Sequence, residues 1–240
     1  MNIKVDIDLA AVQIMWLFLM MKITLVGQSV WMIFELTGCM LCTIYVITNI
    51  KYVPRNALML VIALAMSYLV STLVNREYNG PWITYTGVEF TWKIILYFTV
   101  SWIAIKKRGS NNIAKASWNC LMLYWVPSII TVFAQGRNVI DNANNVYFIG
   151  NKFNVAYLNV VMLCLLLFLN NERKENCSRS FVLKINSKKI EVFLFYTIIV
   201  SIDYYMKAYT GLFMILFILI LAILSRYCLL YTSPSPRDIS

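Results

Sequence analysis

The strongest constraint on this chain is its succession of long apolar stretches separated by short basic segments. Stretches such as Val155 to Leu169 and Leu212 to Leu224 contain almost no polar side chain, and they approach the roughly 17–25 residues that a helix needs to cross a bilayer core. The chain is 60% hydrophobic and 13% charged, against about 45–50% and about 25% in ordinary soluble domains. The sequence therefore predicts an all-α membrane protein.

The apolar stretches predict a bundle of about eight transmembrane spans. Their predicted bounds are 9–26, 30–50, 57–74, 87–105, 116–133, 153–170, 190–206 and 208–225. A continuous helix over the last two would be about 54 Å long, well beyond the roughly 30 Å of a bilayer core. A break between Asp203 and Gly211, which turns the last two spans into a hairpin, is therefore predicted. The first span lacks a following cleavage site and is expected to stay in the protein.

The distribution of basic residues predicts the orientation. One set of alternate loops carries fourteen Lys or Arg, while the other carries four, namely Arg76, Arg137, Lys152 and Lys207. Because cytoplasmic loops hold the excess, both the N-terminus and the end of the eighth span are predicted to be cytoplasmic. This placement accounts for the net charge of +10 and excludes a nucleic-acid partner.

The loops predicted to lie outside hold the candidate site residues. Arg137, in a loop rich in Gly and Asn, is suited to grip a phosphate, although a topological role is an equal alternative. Lys152 is placed either to bind a ligand or to reach lipid phosphate. Asp203 and Lys207 have the spacing of a helical ion pair, and the alternative for Asp203 is a carboxylate that assists proton removal.

Other polar residues of the sequence limit which catalytic groups and cofactors this chain can use. Glu35, Glu89 and Lys93 fall near the predicted outer ends of spans, and each is a functional candidate because charge is expensive in a membrane. Histidine is absent, which excludes an imidazole base and His-ligated haem in this segment. The six cysteines are scattered, so they predict small buried thiols rather than a zinc site. We expect no metal and no cofactor.

Two short segments carry a family resemblance. The first is F-I-G-N-K-F-N-V-A-Y, from Phe148 to Tyr157, and the second is Y-M-K-A-Y-T-G-L-F, from Tyr205 to Phe213. They resemble the F-x-G-G-K-N and S-x-T-G segments of the O-antigen polymerase and ligase family, the Wzy-like enzymes of bacterial surface polysaccharide assembly. Here Asn151 replaces the second glycine, and the serine and arginine expected before Thr210 are missing.

The resemblance implies a polymerase of O-antigen, capsule or exopolysaccharide in the bacterial cytoplasmic membrane. Such an enzyme joins lipid-linked repeat units at the outer face, and undecaprenyl diphosphate leaves. Its implied partners are the lipid-linked oligosaccharide, membrane lipids and other polysaccharide assembly proteins. Cations must hold the diphosphate, and a base must accept the proton of the attacking hydroxyl. The candidates are Arg137, Lys152, Lys207 and Thr210 for substrate binding, and Asp141 and Asp203 for catalysis.

The C-terminal residues differ in composition from the rest of the chain. The stretch CLLYTSPSPRDIS, from Cys228 onward, resembles a translated sequencing adapter, and a natural Pro-rich tail is the alternative. We therefore expect one transmembrane domain over 1–226 and an artefactual tail over 227–240, with the natural protein continuing past Arg226. Because the family's large outer loop is not seen here, the 240-residue product is expected to be inactive.

Two other functions remain open from the sequence. One is a lipid-linked oligosaccharide flippase or another secondary transporter, although no internal repeat of the kind usual in such folds is evident. The other is a membrane scaffold without chemistry, which the scarcity of charge within the spans permits. No Walker motif and no G-x-S-x-G motif occurs, so ATP-driven transport and serine hydrolysis are not supported.

Overall fold

In the computed structural model, the described residues are 6–20, 23, 26–75, 81–135, 147–175 and 187–232, and they are almost entirely helical. Their α-helices are α1 (Ile7–Ile14), α2 (Gln28–Asn49), α3 (Arg55–Val74), α4 (Pro81–Arg108), α5 (Ser110–Gln135), α6 (Lys152–Glu175), α7 (Ser187–Tyr205) and α8 (Tyr209–Thr232). A π-helical segment, Met15–Met20, continues α1, and a 3-10 turn, Ile50–Tyr52, follows α2. Within these ranges, the isolated bridge between Tyr147 and Gly150 is the one β feature. The predicted all-α class is confirmed.

Five helical segments of the described residues are long and apolar enough to cross a membrane. They are Ser29–Tyr52, Arg55–Val74, Gly87–Arg108, Ser110–Gln135 and Lys152–Asn170. The second of these buries only 11% of its most apolar window, and large side chains such as Leu60 and Leu64 are exposed on it. An apolar helix that remains exposed needs an apolar solvent, which agrees with a membrane protein.

The predicted break in the last apolar stretch is confirmed. Helix α7 ends at Tyr205 and α8 begins at Tyr209, so no continuous helix runs through the stretch. Helix α8 continues to Thr232, past the predicted end at residue 225, because residues 226–232 are still apolar enough to extend it.

The chain divides into two compact units, Met1–Tyr124 and Trp125–Ser240, with the boundary inside α5. In the first unit, which we call the N-terminal unit, α4 packs against α1, α2 and α3. Its core includes Val12, Met15, Cys42, Leu96, Val100 and Ile103. Burial of these side chains is the main stabilising term that brings α1, α2 and α4 together.

The π-helical end of α1 is held by hydroxyl groups from other helices. The last carbonyls of a helix lack partners within it. Here the carbonyl of Leu19 accepts a hydrogen bond from the Tyr97 hydroxyl at 2.8 Å, and that of Leu17 accepts one from the Tyr124 hydroxyl. Trp16 also donates from its indole to the Ser117 hydroxyl at 2.7 Å. These bonds tie α1 to α4 and α5 within the N-terminal unit.

The second unit, which we call the C-terminal unit, is built on α6. Helices α7 and α8 both pack against it and against each other. The buried contact among them is formed by Leu163, Ile199 and Ile215, with Trp125 packed alongside.

The cysteine prediction is confirmed at three positions and wrong at one. Cys39, Cys42 and Cys120 are buried free thiols, whereas Cys164 is exposed on α6. An exposed thiol on an apolar helix still behaves as a small hydrophobe.

The turn between α7 and α8 is a Schellman motif. The amide of Ala208 donates to the carbonyl of Asp203 at 2.8 Å, and the amide of Lys207 donates to that of Tyr204 at 3.0 Å. Lys207 has a φ of 55°, the left-handed conformation that this motif requires and that glycine adopts most readily. The motif ends α7 sharply and sends the chain directly into α8.

Glycine at position 207 is therefore expected to stabilise the protein. Lys207→Gly relieves the left-handed strain and should raise the free energy of unfolding by up to about 1 kcal/mol. The matched control is Lys106→Gly, in the last turn of α4, which should lower it by about 0.5–1 kcal/mol because glycine is a poor helix former. Thermal unfolding followed by tryptophan fluorescence measures both, and a loss of stability in both variants would contradict the assignment.

Candidate functional site

A chain of two hydrogen bonds connects three helices of the C-terminal unit. Trp125 on α5 donates from its indole nitrogen to Oδ1 of Asn159 on α6 at 2.8 Å. The amide nitrogen of Asn159 then donates to Oδ1 of Asp203 on α7 at 2.7 Å. Asn159 and Asp203 are both 0% exposed. The chain of bonds fixes the Asp203 carboxyl group two residues before α7 ends.

The second oxygen of this carboxyl group lacks a partner in the part of the chain that the structure describes. Among the described residues, nothing donates to Oδ2 of Asp203, although buried polar atoms are rarely left unpaired. A Cβ atom at Gly211 of α8 would lie 2.7 Å from this oxygen and 2.7 Å from Cβ of Ala156 on α6. Only the bare backbone of a glycine lets α8 come this close, so Gly211 and Asp203 form one feature.

The turn before α6 is ordered by its own asparagines. Tyr147 and Gly150 exchange backbone hydrogen bonds of 2.6 and 3.1 Å. The Asn151 side chain accepts from the amides of Phe153 and Asn154 at 3.1 and 3.2 Å, which caps the start of α6. Asn154 returns a bond from its side chain to the carbonyl of Ile149 at 3.0 Å. The asparagine at position 151, where the resembled family has glycine, is therefore the N-cap of this helix.

The two segments that carry the family resemblance lie against each other. The segment from Phe148 to Tyr157 contains Ala156, and the segment from Tyr205 to Phe213 contains Gly211. The close approach of these two residues joins the segments directly beside Asp203. The first segment is also tied to α5, because the amide of Phe148 donates to the Thr131 hydroxyl at 3.1 Å.

The predicted site residues are only partly gathered at this place. Arg137 and Asp141 lie outside the described residues. Lys152 is the first residue of α6, and its ammonium lies 5.3 Å from the centre of the Phe153 ring. This cation–π contact stabilises the charged form of the lysine. Thr210 is exposed in the first turn of α8. Asp203 is buried at the centre of the site.

The expected ion pair between Asp203 and Lys207 is wrong. The four-residue spacing brings two side chains together only if the helix continues, but α7 ends at Tyr205 and Lys207 is in the left-handed conformation. Asp203 is bonded to Asn159 instead. Sequence reasoning missed Asn159 and Trp125, and the one available signal was an asparagine within an apolar stretch.

The N-terminal unit holds a second buried cluster of charges. The Lys93 ammonium on α4 forms ion pairs with Glu35 on α2 and with Glu89, four residues earlier on α4. Lys93 is only 8% exposed. The three residues that were singled out separately in the sequence are thus one cluster, in which two carboxylates share one ammonium.

A third cluster lies where α1 begins and α2 and α4 end. Asp8, which precedes the first predicted span, is 4% exposed. Its Oδ1 accepts from Lys107 at 2.7 Å and from the Tyr45 hydroxyl at 3.0 Å, and its Oδ2 accepts from Nε of Arg108 at 2.9 Å. Burial acts to raise the pKa of Asp8, but the hydrogen bonds from Lys107, Tyr45 and Arg108 outweigh it and hold the pKa below its ordinary value. Sequence reasoning missed this cluster because Lys107 and Arg108 lie 99 and 100 residues from Asp8 along the chain.

Among the residues that the structure describes, no group of three or more Cys, Asp or Glu side chains is arranged to hold a metal ion. Comparison of the chain with protein-family models, with curated proteins and with solved structures found no match.

Substitution of Gly211 tests the close packing in the C-terminal unit. Gly211→Ala forces its Cβ against Ala156 and Asp203, and we expect a loss of about 1–3 kcal/mol in the free energy of unfolding. The control is Gly27→Ala, where nothing lies within 4 Å of the added atom, so the change should stay within about 0.5 kcal/mol. Adding Ala156→Gly to Gly211→Ala should restore part of the loss. Equal stability of the two alanine variants in thermal unfolding would contradict the geometry.

The Asp8 cluster predicts a specific sensitivity to acid. Because the pKa of Asp8 is lowered on folding, its contribution to stability is present above the ordinary value of 3.8 and is lost as the pH falls below it. Asp8→Asn should therefore reduce the free energy of unfolding by about 1–3 kcal/mol at neutral pH. The difference between the two proteins should shrink below about pH 4. A difference that stays constant from neutral pH to pH 3 in denaturant titrations would refute the prediction.

Proposed function

We propose that this chain belongs to a polymerase of bacterial surface polysaccharide, which joins undecaprenyl-diphosphate-linked repeat units at the outer face of the cytoplasmic membrane. The observation that carries the proposal is the convergence of the two segments that resemble this family at Ala156, Gly211 and Asp203. Segments about 50 residues apart that resemble one family and also meet in space are consistent with a shared site.

The proposed topology has eight spans with a cytoplasmic N-terminus. It requires α1 to begin, and α2 and α4 to end, on the same side. The hydrogen bonds among Asp8, Asn49 and Lys107 join these three helix ends, which supports the alternation within the N-terminal unit. The basic residues beside them, such as Lys51 and Lys106, then face the cytoplasm, as the positive-inside rule expects.

In the proposed reaction, a hydroxyl of the acceptor unit attacks the anomeric carbon of the donor glycan. The bond between that carbon and the diphosphate oxygen breaks, undecaprenyl diphosphate leaves with the bonding electrons, and the hydroxyl proton passes to a base. Arg137, Lys152 and Lys207 are the proposed cations for the diphosphate, because they are basic residues of the loops predicted to lie outside. Their charge would offset the negative charge that develops on the leaving group.

Asp203 and Asp141 are both candidates for the general base, but they differ in what the structure describes of them. A general base must come within hydrogen-bond distance of the proton that it accepts, and Asp203 is fully buried behind Gly211. Asp203 is therefore proposed to act after α8 moves away from α6, and Asp141, which lies outside the described residues, is the alternative base. Thr210, exposed one residue before Gly211, is proposed to contact the substrate.

A transporter of lipid-linked oligosaccharides is the second candidate. The cluster of Glu35, Lys93 and Glu89 favours it, since buried charges within membrane helices commonly mark the path of an ion or a polar substrate. The polymerase is preferred because the two segments that resemble the polymerase family lie together in the C-terminal unit. The charge cluster does not require a transport role, because the ion pairs of Lys93 with Glu35 and Glu89 can simply stabilise the packing of α2 against α4.

Deletion of the gene in its host separates these functions. If the protein is a polymerase, the mutant should carry single repeat units on its surface in place of long chains. In a complementation series with the full-length natural gene, because the 240-residue product is expected to be inactive, Arg137→Ala and Lys207→Ala should shorten the chains since the diphosphate loses a cation. Lys106→Ala, on the proposed cytoplasmic side, is the matched control and should restore normal length. Gel profiles of the extracted polysaccharide provide the measurement.

Two results would reject the polymerase. Accumulation of the lipid-linked unit on the cytoplasmic side would identify a flippase. Normal chain length with both alanine variants would favour a scaffold without chemistry.

A further inference from the structure

The N-terminal unit contains an open groove between α1 and α2. It has a volume of about 580 Å³, within the roughly 300–1,000 Å³ of small-molecule sites. One part of its wall is apolar and is formed by Ala10, Ala11, Ile14, Leu41 and Ile44. The groove is thus built for an apolar chain along most of its length.

The other end of the groove is lined by cations. Lys107 and Arg108 both reach it, beside Thr48 and Asn49. Lys107 donates to Asp8 and Asn49, which uses two of the three ammonium protons. Arg108 bonds Asp8 through Nε and Asp6 through one terminal nitrogen at 3.2 Å, which leaves further guanidinium protons without an acceptor among the described residues. Its side chain is 46% exposed, so these donors are accessible.

The charge around this end is strongly positive. Lys51 and Lys107 lie over the same Tyr52 ring, with their ammonium groups 5.3 and 5.5 Å from its centre. Two carboxylates, Asp6 and Asp8, are set against four basic residues at the ends of α2 and α4. The four are Lys51, Lys106, Lys107 and Arg108. Charge complementarity therefore favours an anionic occupant.

We propose that this groove binds an anionic phospholipid. Its phosphate contacts Lys107 and Arg108, and one acyl chain lies along Ala10, Ile14 and Ile44. The groove opens beside α2, which is long and apolar enough to cross a membrane, so a lipid can enter it from the bilayer. Basic clusters at the cytoplasmic ends of membrane helices bind anionic headgroups. This site does not depend on the polymerase proposal.

Native mass spectrometry of the purified full chain in detergent tests the site. The probes are phosphatidylglycerol, which is anionic, and phosphatidylcholine, which is zwitterionic and has the same acyl chains. We expect the anionic lipid to bind at least about fivefold more tightly, the effect of one additional cation contact.

Three variants test the location and the charge. Ala10→Phe fills the apolar part of the groove and should weaken phosphatidylglycerol binding by about fivefold or more, while its control, Ala63→Phe on the exposed side of α3, should leave it unchanged. Asp6→Asn removes the carboxylate that competes for Arg108, and it keeps a side-chain oxygen that caps α1. Asp6→Asn should therefore tighten binding by about fivefold.

The outcomes decide between occupants. Equal retention of the two lipids would overturn the proposal, as would equal binding by the two phenylalanine variants. The proposal would also be overturned if Asp6→Asn did not increase the affinity for phosphatidylglycerol. This second test still applies if Ala10→Phe lowers the stability of the protein. Appearance of a dimer that Ala10→Phe abolishes, without bound lipid, would assign the groove to a second copy of the chain.

Discussion

The cost of leaving a polar group unpaired in apolar surroundings shapes how the helices of this protein meet. In hydrocarbon, each unsatisfied backbone or side-chain group costs several kcal/mol. Accordingly, the hydroxyls of Tyr97 and Tyr124 donate hydrogen bonds to carbonyls at the end of the π-helical segment. Trp125, Asn159 and Oδ1 of Asp203 form a chain of hydrogen bonds across three helices. The polar contacts therefore specify which helix faces pack, while apolar burial supplies most of the stabilisation.

The same requirement explains how the helices begin and end. Asp6 and Asn151 cap the amides at the starts of α1 and α6, and the Schellman turn at Lys207 satisfies the carbonyls at the end of α7. Lys107 and Arg108 bring their charges back to Asp8 where α4 ends. Three of these four features lie beside a groove or a buried carboxyl group, so the residues that end the helices also create the candidate binding sites.

The sequence predicted those features that depend on length and local composition. The apolar runs placed the helices, and the limited thickness of a bilayer required the break that lies between Tyr205 and Tyr209. The sequence did not predict contacts that depend on the packing of segments far apart along the chain. Asp8 meets Arg108 only after three helix ends converge, and Asn159 looked like one asparagine within an apolar run. The predicted ion pair between Asp203 and Lys207 was wrong because a spacing of four residues brings side chains together only in a continuous helix.

The close fit at Gly211 has a consequence for how such a sequence can diverge. Most lipid-facing positions tolerate any apolar residue, so they drift rapidly and erase overall similarity between descendants. Gly211 is not free in this way, since its replacement would have to be accompanied by changes at both Ala156 and Asp203. These three positions, together with Asn159, would be inherited as a block. Distant descendants of one ancestor would then share a few widely spaced residues of the C-terminal unit, while the helices around them become unrecognisable.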